Sequence, residues 1–394
     1  MVKYTLPDDW IGYRIDAIAQ QLLDAKAAIM SLTQIPFQRS WADEMQRVQL
    51  KREVAGTSRI EGAEFTEREL DAAMAQTPEQ LETRSQKQAA TAVRTYRWIS
   101  GLASDRPVDA NLIREVHRMI VTGADDDHCE PGVLRGRDHN VTFGSPQHRG
   151  AEGGEECATA FAKLSEAVAS EFRGHDPLVQ AIALHYHFAS IHPFSDGNGR
   201  TARALEALML QRVGLRDTLF IAMSNYYYEN KPAYLSALAA TRAAGHDLTP
   251  FLLFGLKGIE LQCGRLFAEV RKNMSRVLFR DVMFSLYNRL RSTRKRVIAE
   301  RQLEILKLLL RSDSMMLDEI EKQTRASYVG LKSPRTAFYR DVNYLLRLKA
   351  IRFKREGDKY EMFARLEWPT EITESEFFKS VKEMPKARTS GFLA

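Results

Sequence analysis

The chain has 394 residues, of which 44% are hydrophobic and 27% charged, and its formal net charge is +6 at pH 7. That length and composition belong to a soluble globular chain of two or three domains, and a charge this modest names no partner by itself. No apolar run reaches transmembrane length, Asp8 and Asp9 do not suit a secretory leader, and the scattered Cys129, Cys157 and Cys263 exclude a disulfide framework, so a reduced, cytoplasmic protein without membrane contact is expected.

Residues 1–100 read as helices joined by short polar connections. Over 42–61 the apolar positions Met45, Val48, Val54 and Ile60 suit one helix, closed by Gly62 where a left-handed residue commonly stands. Glu61 then falls in the last turn, at the negative end of the helix dipole, where a carboxylate is misplaced. Another helix is expected within 105–125, with Leu112, Ile113, Val116, Met119 and Ile120 on its apolar side. Asp125, Asp126 and Asp127 follow; they lack the ligand spacing of a calcium loop and read as a solvated acidic turn. Residues 133–150, with Arg135, Val141, Phe143 and the turn Gly144-Ser145-Pro146, fit a short hairpin. Two further helices occupy 155–191, the second delivering His192.

The densest chemistry lies in His192-Pro193-Phe194-Ser195-Asp196-Gly197-Asn198-Gly199-Arg200-Thr201-Ala202-Arg203. Gly197 and Gly199 let backbone N–H groups converge on an anion. The spacing of Ala202, Leu205, Leu208 and Met209 starts a helix there, so a phosphate would sit on its N-terminus. Arg200 and Arg203 share one face, yet cations in a first turn oppose the macrodipole by roughly 0.3–1 kcal/mol each. A local rule broken twice points to function. Pairing Arg203 with Glu61 would relieve both misfits. Asp196 could hold Mg2+ while the metal also binds phosphate oxygens, and His192 would be the general base. Gly197–Ala202 also spells Gly-x-Gly-x-x-Ala, but that dinucleotide pattern needs a strand before it, and 178–191 reads as a helix. His185 and His187, two apart on a helix, diverge and make no zinc site with His192.

After the run Tyr226-Tyr227-Tyr228, a helix is expected from about Pro232, and an apolar helix over 248–261, with Phe251, Leu252, Phe254 and Leu256, closes the core. Residues 265–311 carry thirteen Lys and Arg against four Asp and Glu, densest at Arg294-Lys295-Arg296, which by default is a solvated helical face. Helices at 303–310, 316–323 and 334–349 follow, the third bearing Arg335, Tyr339, Arg340, Tyr344 and Arg347. A two-stranded ribbon over 351–363 comes next, and then a polar tail.

The stretch from His192 to Arg203 resembles the Fic family motif, His-x-Phe-x-Asp/Glu-Gly-Asn-Gly-Arg-x-x-Arg, and matches every fixed position. The resemblance implies a protein adenylyltransferase that moves AMP from ATP, with Mg2+, to a Ser, Thr or Tyr hydroxyl of a target protein or of itself. It implies that His192 deprotonates the hydroxyl, Phe194 anchors the loop and Asp196 holds the metal. Asn198 and the N–H groups of the Gly197–Ala202 turn, Gly199 and Thr201 included, would grip the α-phosphate, with Arg200 on the β- and γ-phosphates and Arg203 on the γ-phosphate. Thr57-Ser58-Arg59-Ile60-Glu61-Gly62 resembles the family's inhibitory motif, Ser/Thr-x-x-x-Glu-Gly/Asn. That implies a brake helix at about 45–62 in which Thr57 and Glu61 are the fixed positions and Glu61 ties up Arg203.

Pro131, Gly132 and Arg135 resemble the family's lead-in to a flap, in which Val141, Thr142, Phe143 and Gly144 would position the target. The resemblance implies that the family's adenine-side aromatic aligns with Tyr234, next to Ala233, with Thr241 as a lesser candidate for nucleotide contact. The last three helices and ribbon resemble a winged helix, which implies contact with DNA phosphates or else protein docking, including a homodimer. The expected architecture is therefore mainly α. It comprises an N-terminal helical region (1–100), a Fic helical core with a β-hairpin flap (101–262), a basic helical linker (263–300), a C-terminal winged helix domain (301–366) and a polar tail (367–394). Two other readings stay open: a nucleic-acid-binding regulator whose nucleotide site only senses ligand, and an enzyme that removes AMP with Glu61 orienting water.

Overall fold

The computed structural model describes residues 2–34, 39–144, 146–215 and 221–382, and divides into two compact units, Met1–Phe267 and Ala268–Ala394. In the first unit the order is β1 (Val2–Lys3), α1 (Ile15–Thr33), α2 (Arg39–Ile60), α3 (Glu67–Ala75), α4 (Arg84–Ser100), α5 (Ala110–Val121), β2 (Thr142–Phe143), β3 (His148–Arg149), α6 (Glu155–Ala169), α7 (Pro177–Ile191), α8 (Asn198–Leu210), α9 (Met223–Glu229), α10 (Lys231–Ala243) and the start of α11 (Thr249–Asn288). The helix starts follow local chemistry. Thr66 and Thr83 each form a reciprocal capping box with the residue three positions on, and the carboxylate of Asp109 accepts from the Leu112 N–H at 2.8 Å. Asp176 caps α7, with Pro177 tolerated in the first turn.

Thirteen of the fifteen residues of α7 are buried, so this is the central helix, and its all-round apolar character explains why it has no amphipathic face. It ends at His192, whose φ of 54° and ψ of 59° turn the chain sharply towards α8. The small sheet runs in the order β1-β3-β2, with β2 antiparallel to β3 (Phe143 opposite His148) and β1 parallel to it. Only Thr142 and Phe143 of the expected flap strand Val141–Gly144 form strand, and Ser145 lies outside the described residues. The two-residue β1 gives no alternation to read in the sequence.

Helix α2 lies directly on the start of α9. A Cβ added at Gly56 would stand 2.5 Å from the Asn225 nitrogen, so only glycine permits this approach. One turn earlier, the carboxyl of Glu53, which is 1% exposed, accepts from the Ser224 N–H at 2.8 Å, the Tyr96 hydroxyl at 2.8 Å and the Ser224 hydroxyl. Burial pushes its pKa up to about 7.

The second unit contains the remainder of α11, then α12 (Thr293–Arg311), β4 (Met315–Met316), α13 (Leu317–Thr324), α14 (Pro334–Arg347), β5 (Ile351–Glu356), β6 (Lys359–Ala364), α15 (Trp368–Glu371) and α16 (Glu374–Lys382). Its core joins Phe279, Leu306, Ile320, Phe338, Leu345 and Met362, and Arg301 and Asp341 form a buried ion pair at 2.8 Å. The ribbon turns at Gly357, with φ of 62°, and β4 adds a third strand in the order β4-β6-β5. Residues 268–288 continue α11, and Lys272 and Arg276 of this basic stretch pair with Asp313. The expected polar tail is helical over much of 368–382, because Trp368, Phe377 and Val381 are buried in this core; residues 383–394 lie outside the described residues. Among the described residues no helix is long and apolar enough to cross a membrane.

Candidate active site

The site is built where α7 ends and α8 begins. Phe194 is fully buried, stacked on His117 with ring centroids 3.7 Å apart, and this fastens the connecting loop to the core. The loop is also stapled from within. Asn198 Nδ2 donates to the Phe194 carbonyl at 2.7 Å, and its Oδ1 accepts from the Phe194 N–H at 2.9 Å. Asn198 is 1% exposed, so its side chain shapes the loop. His117 accepts from the Gly132 N–H through Nδ1 at 2.9 Å, so its Nε2 carries the hydrogen and donates to the Asp196 carbonyl at 3.0 Å. Burial pushes its pKa down to about 4, consistent with a neutral ring. Nothing in the sequence marked His117 as part of this scaffold; its helical spacing is that of an ordinary core residue.

Gly197 has a φ of 75°, and a Cβ there would overlap Val121, so glycine is required on both counts. The first intrahelical bond of α8 runs from the Thr201 N–H to the Gly197 carbonyl at 2.9 Å. The N–H groups of Asn198, Gly199 and Arg200 therefore head the helix without i−4 partners and form its anion-facing mouth. Thr201 and Ala202 are fully buried with the Thr201 N–H already used, and Thr241 is buried with its Oγ1 accepting from the Phe251 N–H at 3.2 Å. These three are packed among the helices.

Both arginines are buried, each 2% exposed, and each has a carboxylate. Arg203 donates through Nη2 to Glu61 Oε1 at 2.5 Å and to the Thr57 carbonyl at 3.2 Å, and through Nε to Thr57 Oγ1 at 2.9 Å. Both residues of the short N-terminal motif thus converge on one guanidinium. Glu61 follows α2 immediately, and a Cβ on Gly199 would overlap its carboxylate, which places that anion at the mouth of α8. Burial pushes the Glu61 carboxyl up, but the Arg203 charge and hydrogen bond, with Arg200 and His192 behind them, more than reverse this and hold it below the usual range.

Arg200 donates to Asp125 Oδ2 at 2.6 Å and lies 3.6 Å from Asp196 Oδ1. Asp125 is 1% exposed and also accepts from Arg84 Nε at 2.7 Å and Gln88 Nε2 at 2.8 Å, so the expectation of a solvated acidic turn fails for this residue. A run of three Asp gives no hint that the first is turned inward. Asp196 sits at the mouth with 35% of its side chain exposed. One such carboxylate beside an anion cradle fits Mg2+ delivered with a polyphosphate, which needs few protein ligands.

His192 is partly buried and stacked on Phe143 of the flap, with centroids 3.9 Å apart and planes 16° from parallel. Its Nδ1 lies 3.2 Å from the Ala189 carbonyl, which can only accept, so Nδ1 carries the hydrogen and Nε2 keeps its lone pair. Burial pushes its pKa down to about 4. Arg135, 2% exposed, fixes this geometry by donating to the carbonyls of His192 at 2.7 Å, His139 at 2.6 Å and Ala151 at 2.6 Å.

Tyr234 is buried, stacked on Tyr227 at 4.8 Å, with its hydroxyl 2.9 Å from His185 Nε2, while the adjacent Ala233 is exposed. His185 Nδ1 in turn lies 2.7 Å from Glu206, and His187 Nε2 is 2.7 Å from the Trp10 carbonyl, so the two histidines point into different surroundings.

Residues 107–210 match the family model described as Fic/DOC family. A stretch of 103 residues, 26% of this chain and 19% of the relative, is 30% identical to protein adenylyltransferase fic-1 of Caenorhabditis elegans. Over 79 residues, 20% of this chain and 16% of the relative, it is 38% identical to protein adenylyltransferase Fic of Nematostella vectensis. The matched stretches thus span less than a fifth of these relatives' own length. Among solved structures, a Fic family protein from Desulfovibrio desulfuricans G20 aligns over 93% of this chain and 98% of its own, at 17% identity and a TM-score of 0.54. Caenorhabditis elegans Fic-1 aligns over 64% and 73%, at 20% identity and a TM-score of 0.52. At these identities the structural likeness speaks for a mainly α Fic-like core with some strand.

Proposed function

We propose, from the premise that this is a Fic-domain protein related to known protein adenylyltransferases, that it transfers AMP from ATP to a Ser, Thr or Tyr hydroxyl of a protein, itself included, and is held back by Glu61. The observation that carries this reading is a neutral imidazole, with Nε2 free to accept, beside a helix mouth of three N–H groups and two buried arginines. His192 takes the proton of the target hydroxyl, the oxygen bonds to the α-phosphorus, and the bond to the β-phosphate oxygen breaks, releasing pyrophosphate. The N–H groups of Asn198, Gly199 and Arg200 hold the α-phosphate, while Arg200 and Arg203 hold the terminal phosphates. Catalysis then comes from alignment and charge neutralisation in a preformed site. Asp196 would hold Mg2+, which when bound supplies further neutralisation of phosphate charge. The Thr142–Phe143 strand aligns the target, and the exposed face next to Ala233 receives the adenosine end.

Glu61 keeps the γ-phosphate from Arg203 and lays its own carboxylate on the helix mouth. In the second unit, three helices with the β4-β6-β5 sheet support a winged helix. Exposed Arg335 on α14 and Arg355 and Lys359 on the hairpin suit DNA phosphates, to be tested by salt-dependent binding of duplex DNA. Homodimerisation through this unit would appear instead as a concentration-dependent mass in solution. The enzyme reading is tested with α-labelled nucleoside triphosphates plus cell lysate, comparing the natural protein, Glu61→Gly and His192→Ala, followed by mass spectrometry. AMP on protein hydroxyls, lost with His192→Ala, supports it; labelled ATP left untransferred by every variant would refute it.

A further inference from the structure

Four side chains close a ring of alternating charge at the mouth of α8. Asp125 accepts from Arg84 at 2.7 Å and from Arg200 at 2.6 Å, and Asp196 accepts from Arg84 Nη2 at 2.9 Å and faces Arg200 at 3.6 Å. The four corners are not equivalent. Asp125 and Arg200 are buried, with 0% and 2% of their side chains exposed, whereas Arg84 and Asp196 are 49% and 35% exposed. Asp125 is also held by Gln88 and so is the fixed corner that keeps both arginines in place. Asp196 is the exchangeable one, because its Oδ2 accepts on the solvent side from Arg84, while its Oδ1 is taken from within by the Gly197 N–H at 2.5 Å.

We propose that Arg84 is the resident counter-ion of Asp196, a positioning residue that occupies the carboxylate oxygen a divalent cation needs and must leave it before the metal enters. The inference rests on reading Asp196 as the metal ligand. A guanidinium on Oδ2 both blocks one lone-pair direction and adds a positive charge against which a dication must bind. When Arg84 swings off it keeps Asp125, so release breaks one side of the ring and leaves the other intact. Metal without polyphosphate therefore binds poorly, whereas nucleotide phosphates reaching Arg200 supply negative charge that offsets the repulsion. Arg84 begins α4, outside the 107–210 domain match, so the metal ligand is controlled by the N-terminal region.

The test is binding of Mn2+ alone, without nucleotide, followed by electron paramagnetic resonance for the natural protein, Arg84→Met, Arg84→Lys and Asp196→Asn. Removing an exposed pair of this kind is expected to tighten Mn2+ binding roughly two- to fivefold in Arg84→Met. Arg84→Lys keeps the charge and should bind Mn2+ as weakly as the natural protein. Adding Asp196→Asn to Arg84→Met should abolish the gain. If Arg84→Met only lowers the melting temperature, with Mn2+ affinity unchanged or weaker, Arg84 is structural and the inference is wrong. If Arg84→Met binds tightly whether or not Asp196 is present, Asp196 is not the ligand and the underlying reading fails instead. No Mn2+ binding by any of the proteins overturns the inference.

Discussion

Replacing Glu61 by Gly removes an anion that stands 2.5 Å from Arg203 Nη2 and overlies Gly199. The guanidinium is 2% exposed but the Glu61 side chain is 38% exposed, so the pair cannot be credited with the energy of a fully buried ion pair. A charge-assisted hydrogen bond discounted for that exposure is worth about 1–2 kcal/mol, a factor of roughly 5–30 in any equilibrium that must break it. Productive seating of ATP requires breaking it. Titration of ATP by calorimetry should therefore show affinity rising by about that factor in Glu61→Gly, with self-modification by labelled ATP rising in parallel at subsaturating nucleotide. Glu61→Gln keeps the bulk and loses the charge, so it should fall between the two. Equal ATP affinity and equal labelling in all three proteins would refute the brake.

Gly56→Ala forces a Cβ against the Ser224–Asn225 backbone and should loosen α2, raising self-modification with Glu61 still in place; unchanged labelling would mean that α2 does not set the brake. Asp125→Asn leaves two arginines without their shared buried anion and should lower stability by about 3–5 kcal/mol in urea unfolding. Acid should destabilise the fold. The pKa values of His117, His148 and His192 are pushed down to about 4 and that of His187 to about 3, chiefly by burial, against about 6.5 in an unfolded chain. Unfolding therefore takes up protons below about 6.5. The contribution of these groups is whole above that value and is lost as pH falls towards 4, at roughly 1.4 kcal/mol per pH unit for each group that stays neutral. A melting temperature flat between pH 6.5 and 4 would contradict this. Arg135→Met frees the His192 carbonyl and should lower kcat with ATP affinity nearly kept, since Arg135 holds the carbonyls of the base and of His139 rather than the helix mouth. A loss confined to ATP affinity would count against that role.

The His192–Arg203 stretch was legible because its chemistry violates local preference: two cations at a helix start make sense only with an anion nearby. The same reasoning joined Glu61 to Arg203 across 142 residues, since each was misplaced alone. Helix positions followed apolar spacing, as at Leu112, Ile113, Val116 and Ile120 of α5. What stayed hidden was whatever depends on tertiary direction. Asp125 looks solvated in sequence and is buried, the Asn198 side chain is bonded within its own loop, Thr201 is fully buried, and the Thr241 hydroxyl accepts from a backbone N–H. Arg84 and His117 carry no local signature, because their partners come from elsewhere in the chain. No proline interrupts 263–288, so the continuity of α11 was available in the sequence, but the shift to basic composition there resembles a boundary.

The most direct measurement is a crystal structure of Glu61→Gly with ATP and Mg2+. Phosphate oxygens are expected on the N–H groups of Asn198, Gly199 and Arg200, with the γ-phosphate on Arg203 and His192 Nε2 facing the α-phosphorus opposite the pyrophosphate. A triphosphate bound elsewhere, or an imidazole turned away from it, would contradict the account.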